Sequence, residues 1–290
     1  MKRLKSNAIK FDVFIITFSV IFFFVIGIAS GAVLDKRLNE NVSRRAVSEL
    51  STTAKEQAQL VEREIERQFI PLNFLAAYLG DGNAFITKET QNMIDTLVET
   101  NTWCTVGYAD LEGNTISYEG ENLGNISQRA YFREIADGSE TQKVEYLSST
   151  NIIAEPRFLF SVPVCKDGVV TAVLFASKEI SVMEPILLLN DNAKENTGIF
   201  VISEDGTILC ANSTGRSHVT GDNYYSFHNQ GGYAEDFSQD DLCTSIREKK
   251  NENFTYLHDT LEIVSCCPTE INDWAIIVMA DKNELEVQYG

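Results

Sequence analysis

From Val13 to Leu34 the chain runs through 22 residues, VFIITFSVIFFFVIGIASGAVL, without a charged side chain. A stretch of that length can cross a bilayer as a helix, the form that satisfies every backbone group without water. Lys2, Arg3, Lys5 and Lys10 precede it. A positive flank stays on the cytoplasmic side, so the pattern predicts that everything after the span faces outward. A cleaved export signal would use Ala29, Ser30, Gly31 and Ala32 as its small residues, but its apolar part is only about 7–15 residues long. Here the run is longer, and a helical pattern resumes directly after it.

That second pattern extends from about Asp35 to Leu79. Val47, Ala54, Val61 and Leu75 fall on one seven-residue series, and Ala58, Ile65, Leu72 and Leu79 on another, four residues further on. Together they form a narrow apolar stripe, with Glu62, Arg63, Glu64, Glu66 and Arg67 on other faces. Pro71 is expected to kink or divide the helix. The stripe can pack on its own domain or pair with a second copy; the upper part is read as intramolecular and the lower as a homodimer contact. Gly80-Asp81-Gly82 ends it. Thr87 then caps a second helix whose apolar face is Met93, Ile94, Leu97 and Val98.

After Thr102 the period changes to that of strands. TWCTVGYADLEGNTISY (102–118) reads as two β-runs about an acidic-Gly turn. Ser127–Ile135 reads as a short helix and Lys143–Leu147 as a strand. Arg157–Cys165 and Val169–Ala176 form an antiparallel pair joined by Lys166-Asp167-Gly168. A similar order recurs: IFVISEDGTILC (199–210) is again strand, acidic-Gly turn, strand, followed by the apolar runs Leu261–Cys267 and Trp274–Ala280. Gly113 and Gly206 lie 93 residues apart at the two turns. An internal duplication accounts for this order. The predicted fold class is α+β: a transmembrane helix, a long helix, then two antiparallel-sheet modules linked by Ser181–Asn192, mostly as helix. Lys282–Gln288 begins a last charged helix.

Composition narrows the function. The formal charge is −18, and the first ten residues are positive, so the outer part is strongly acidic. Such a surface repels nucleic acid, which is excluded as a partner. The six cysteines (104, 165, 210, 243, 266 and 267) match neither a stapled miniature scaffold nor a zinc site. Cys266 and Cys267 read as buried free thiols. Asn41, Asn125, Asn212 and Asn253 begin glycosylation sequons, best read as chance. His218, His228 and His258 match no metal spacing, and the first two lie in a stretch read as loop. No G-x-S-x-G, P-loop or H-E-x-x-H occurs, so the reading is no enzyme, no catalytic residue, no metal and no cofactor.

In the order YADLEGNTIS, NISQRAYF, RFLFSVPVCKDGVVTAVLFAS and FVISEDGTILC, behind a long helix leaving the membrane, the chain resembles the double Cache extracytoplasmic sensors, built from two PAS-like modules. The resemblance covers nearly everything after the span. It implies a cytoplasmic tail (1–10), a transmembrane helix (11–34) and a long helix (35–79). A membrane-distal ligand-binding module (80–180), a linker (181–197) and a membrane-proximal module (198–282) follow. Residues 283–290 would start a helix toward a second membrane segment. The implied function is a small-molecule sensor at the cell membrane, feeding a histidine kinase, diguanylate cyclase or chemotaxis output domain beyond Gly290, with this chain as a fragment. The alternative is a tethered solute-binding protein without output; an exported enzyme and a purely structural interaction domain are further rivals.

The resemblance also implies site residues. In amino-acid-binding members an Arg-x-Trp-Tyr phrase holds the ligand carboxylate. Here Arg129 keeps the guanidinium fork and Tyr131 and Phe132 replace the aromatics. Tyr146 stands about where another ligand-facing tyrosine is expected; Phe158 and Phe160, with Trp103 and Tyr108, are candidates for the pocket wall. Gly124 stands where the family motif has tyrosine, and Ser177-Lys178-Glu179 where it has an aspartate for the ligand amine. Lys178 would repel an amine unless it points away and Glu179 points in. The implied ligand is therefore a carboxylate or another small polar metabolite. Arg129 could instead be a surface residue paired with Glu134 or Asp137, and the aromatics could simply fill the core.

Overall fold

The computed structural model describes residues 2–148, 155–182, 184–188, 197–218, 221–228, 232–233, 237–257 and 260–289, with side chains mainly between Asn41 and Leu285. One helix, α1 (Lys2–Gly80), carries the N-terminal quarter. The expected bilayer span, Val13–Leu34, belongs to its first part, whose side chains lie outside the described residues. Among those described, no helix is long and apolar enough to cross a membrane. Pro71 does not divide α1. A proline removes one helical N–H and crowds the carbonyl four residues back; the buried Leu72, Leu75 and Ala76 just after it hold the helix in place by packing.

The apolar stripe is buried as predicted from Ala54 to Leu79, while Ala46 and Leu50, rather than Val47, carry its lower end. Gln68, the polar member of the Val47 series, is fully buried too. The second helix, α2 (Lys88–Asn101), starts at Thr87, whose hydroxyl accepts the Thr90 N–H at 3.1 Å.

Two antiparallel sheets pack against α1. The first holds β1 (Thr105–Ala109), β2 (Asn114–Ser117), β3 (Asn122–Asn125), β4 (Lys143–Leu147), β5 (Arg157–Lys166) and β6 (Val169–Glu179), ordered β3-β2-β1-β6-β5-β4. The second holds β7 (Gly198–Ser203), β8 (Ile208–Ala211), β9 (Gly232–Tyr233), β10 (Glu252–Leu257), β11 (Leu261–Pro268) and β12 (Trp274–Asp281), ordered β8-β7-β12-β11-β10-β9. The main hairpin, β5–β6, turns at Asp167 and Gly168, both with positive φ (52° and 79°). That pair of angles belongs to the two-residue turn whose twist matches the strands.

The duplication repeats bond for bond. Gly113 and Gly206 share a φ of 83°, and each donates its N–H to the residue three back, Asp110 and Ser203, at 2.9 Å. Asn125 donates its side-chain amide to the Glu112 carbonyl at 3.0 Å, and Asn223 to that of Asp205 at 2.9 Å. Each asparagine then accepts the N–H two residues on, from Ser127 and Tyr225, at 3.0 Å.

One face of each sheet joins a common core along α1, which α7 (Lys282–Tyr289) extends through Leu285. The opposite face of the first sheet is covered by α3 (Ala130–Ala136), and that of the second by α6 (Gln239–Arg247) and α5 (Tyr224–His228). The expected helical linker is instead two short 3-10 segments, Ile180–Val182 and Glu184–Leu188; 189–192 lie outside the described residues. Pro185 lacks the N–H a longer helix would use there. His218 and His228 end the short helices α4 (Ser213–His218) and α5 rather than lying in loop, and His258 lies outside the described residues. Asn212 is buried, its carbonyl oxygen accepting the N–H groups of Ile199 (2.9 Å) and Gly215 (2.7 Å), so its sequon is structural. All six cysteines are free.

Candidate functional site

The eight residues singled out in the sequence do not surround one cavity. Strand registry divides them between the two faces of the first sheet. Phe158 pairs with Lys178 and Tyr146, Phe160 with Ala176 and Val144, and Tyr108 with Leu174; all of these point to α1. Trp103 lies on the same side, its indole N–H donating to Gln68 Oε1 at 3.0 Å. Phe160 meets Phe69 edge-on at 5.4 Å, and Tyr108 stacks on Phe85 at 5.3 Å. Trp103, Tyr108, Phe158 and Phe160 are thus packing residues of the α1 interface.

Arg129, Tyr131 and Phe132 stand on the other face. Arg129 occupies the N-terminal cap position of α3 without capping it, and is exposed. It pairs with neither Glu134 nor Asp137; Lys143 takes Glu134 at 2.8 Å. Tyr131 and Phe132 are buried with Ile135, Leu159, Val173 and Phe175. Burial, reinforced by the Glu145 charge, pushes the Tyr131 phenol up to about 12. Gly107 makes room here: a Cβ on it would lie 2.2 Å from the Phe175 ring.

A row of polar groups crosses this α3-side face that the motif did not reveal. Glu145 pairs across with Leu159, Leu159 with Ser177, Ser177 with Thr105; the next row holds Arg157 and Glu179. Glu145 Oε2, Arg157 Nε and Ser177 Oγ are buried atoms without a hydrogen-bond partner among the described residues. Arg157 reaches Glu179 only at 4.0 Å, and the Cys104 thiol lies 3.8 Å from the same carboxylate. Burial lifts the Glu145 carboxyl above its usual range although Arg129 and Lys143 oppose this. Unpartnered polar atoms on a buried face are costly unless something bonds to them. Lys178 points away from this row: its ammonium lies 3.7 Å from Glu64 on α1, while Glu179 faces in.

Tyr146 opens onto a different space. A cavity of about 410 Å³ lies between the modules, with Tyr146, Glu155 and Ile180 on one side and Leu209, Cys210 and Asp222 on the other. Beside it the modules touch: the Phe158 and Trp274 rings are 5.5 Å apart, and the Asn272 side chain donates to the Val144 carbonyl at 2.9 Å. Among the described residues no group of three His, Cys, Asp or Glu is placed to hold a metal.

This architecture has solved counterparts. The ligand-binding domain of the Campylobacter jejuni chemoreceptor Tlp3, in complex with L-norvaline, matches over 84% of this chain and 94% of its own, with 11% identity and a TM-score of 0.60. That of the Pseudomonas fluorescens chemoreceptor CtaA, with L-leucine, matches over 85% and 99%, with 13% identity and a TM-score of 0.61. That of the Pseudomonas aeruginosa chemoreceptor PctB, with L-Arg, matches over 82% and 95%, with 16% identity and a TM-score of 0.57. The fold is the double Cache fold. No family model and no curated protein matches the sequence. In double Cache terms the first sheet with α3 is the module that sequence reading placed farthest from the membrane, and the α3-side face is where its Arg129 phrase lies.

Proposed function

We propose that the chain is the extracytoplasmic sensory part of a membrane-anchored signalling receptor. In this reading Val13–Leu34 spans the bilayer, residues 80–180 form the membrane-distal ligand module, 181–197 the linker and 198–282 the membrane-proximal module. The ligand lies against the α3-side face of the first sheet. The observation that carries this is the set of unpartnered buried atoms there, Glu145 Oε2, Arg157 Nε and Ser177 Oγ, next to the exposed guanidinium of Arg129.

The face offers both signs of charge: Arg129 and Arg157 for a carboxylate, Glu145 and Glu179 for an ammonium. Tyr131 and Phe132 supply the apolar backing. A small zwitterion fits this set, in keeping with the amino acids named for the Tlp3, CtaA and PctB domains. With Lys178 turned to α1, the like-charge objection to an amine disappears.

The signal would leave through β6, since Ser177 and Glu179 face the ligand while Lys178 between them grips Glu64 of α1. A ligand shifts such an equilibrium only by its difference in affinity for the two arrangements. Homodimerisation through the outer face of α1 completes the reading, supported by Ile70 and Phe74, exposed one turn apart.

Calorimetric titration of amino acids and small carboxylates tests the site. Binding that weakens about tenfold or more in both Arg129→Ala and Glu179→Gln is expected, the size of one lost charge-assisted bond of about 1.5–3 kcal/mol. Binding unaffected by either change would place the ligand elsewhere.

A further inference from the structure

We propose that the cavity between the two modules is a second binding site, distinct from the α3-side face, and that it takes a small organic monocation: an amine on a compact apolar body. Its volume of about 410 Å³ falls in the range of small-molecule pockets. Ile180, from the first module's end, and Leu209, from the second sheet, give it an apolar floor. Two carboxylates, Glu155 and Asp222, stand at its rim, and its lining holds no lysine, arginine or histidine among the described residues.

Tyr146 sets the chemistry apart from that of an acidic surface patch. Its ring, half-buried against Phe158, closes one wall. An aromatic face next to carboxylates is the environment in which an ammonium gains both ion pairing and cation–π attraction. Burial, then the charge of Asp222, raises the Tyr146 phenol above its usual value, so the hydroxyl stays protonated and available as a donor or acceptor.

The position gives the site a consequence. Tyr146 and Ile180 belong to one module, and Leu209 and Asp222 to the other. Tyr146 also touches Phe158, whose ring meets Trp274 across the junction. An occupant therefore binds only the arrangement of modules that brings these groups together, and favours it.

The test titrates phenethylamine, with 2-phenylethanol as the neutral isostere, into the full chain in detergent. The expected result is a saturable amine signal, at least tenfold weaker for the alcohol and at least tenfold weaker in Asp222→Asn combined with Glu155→Gln. It should be reduced in Tyr146→Phe and unchanged in Glu179→Gln. The exposed Asp222→Asn alone, expected to weaken binding part-way, serves if the double variant fails to fold. Equal binding of amine and alcohol, absence of amine binding, or loss in Glu179→Gln without loss in the junction variants would each overturn the proposal. The last outcome would place the amine on the α3-side face, so the two sites are tested separately.

Discussion

The ammonium of Lys178 lies 3.7 Å from the carboxylate of Glu64, with the two side chains 3% and 15% exposed, at the point where β6 crosses α1. Glu64 does not depend on this partner alone: Arg67 and Gln68 each reach it at 2.6 Å. Burial by itself would raise Glu64, but Arg67, Lys178 and Gln68 together hold it below the usual carboxylate range. Lys178 is pulled down by burial, with Glu64 opposing.

The partners are therefore unequal. Glu64→Leu strands a buried ammonium and should cost about 3–5 kcal/mol in denaturant unfolding. Lys178→Met leaves Glu64 paired with Arg67 and should cost clearly less. With its folded value depressed, Glu64 contributes stability above the ordinary carboxylate range and loses it as pH falls through the folded value. The stability gap between wild type and Glu64→Leu should narrow on acidification. Equal costs for the two substitutions would show that the pair is not electrostatically asymmetric.

Glu145 behaves with the opposite sign. Its carboxyl is raised by burial, so the ionised form is a liability in the unliganded fold that is relieved as pH falls through the folded value. Glu145→Gln should raise the unliganded Tm at neutral pH, with the gain shrinking toward pH 4, and should weaken ligand binding. A binding group held at the expense of stability gives this trade. Differential scanning fluorimetry across pH, with and without ligand, reads both effects.

The strand pairs, the acidic-Gly turns, the Thr87 cap and the α1 stripe were legible because each has a local signature. The face of the site was not. In residues 157–164 the alternation sets Arg157, Leu159, Ser161 and Pro163 apart from Phe158, Phe160, Val162 and Val164, but both faces of this sheet are covered, and periodicity does not say which cover leaves room for a ligand. The larger Phe158 and Phe160 suggest a pocket wall, yet registry turns them to α1 and leaves Leu159 between Glu145 and Ser177. Gln68 was passed over because a polar residue on a helix stripe reads as exposed; its partner, Trp103, is 35 residues away in sequence. The junction of Phe158 with Trp274 joins residues 116 apart, beyond any local pattern.

That junction makes a separate prediction. Trp274 is 5% exposed, belongs to the core along α1, and is the second module's aromatic contact with Phe158. Trp274→Ala should cost about 3–5 kcal/mol and, by removing a contact shared by both modules, should split thermal unfolding into two transitions. Trp274→Phe keeps a ring there and should retain one transition. A single cooperative transition in Trp274→Ala would mean that α1 alone couples the modules.

Ile70 and Phe74 are 68% and 61% exposed on α1, opposite its buried stripe. Two large apolar side chains one turn apart, on a helix otherwise rich in Glu and Arg, form the kind of surface that association covers. They sit in the upper part of α1, where sequence reading expected only intramolecular packing; the buried stripe there faces the sheets and leaves the opposite side free to pair. Phe74→Glu would place a charge at the centre of a two-fold contact, next to its own copy. The proposed homodimer should weaken at least tenfold in sedimentation equilibrium, whereas Ile86→Glu, exposed beyond the helix, should leave it unchanged. A dimer indifferent to Phe74→Glu would move the contact to another part of the helix.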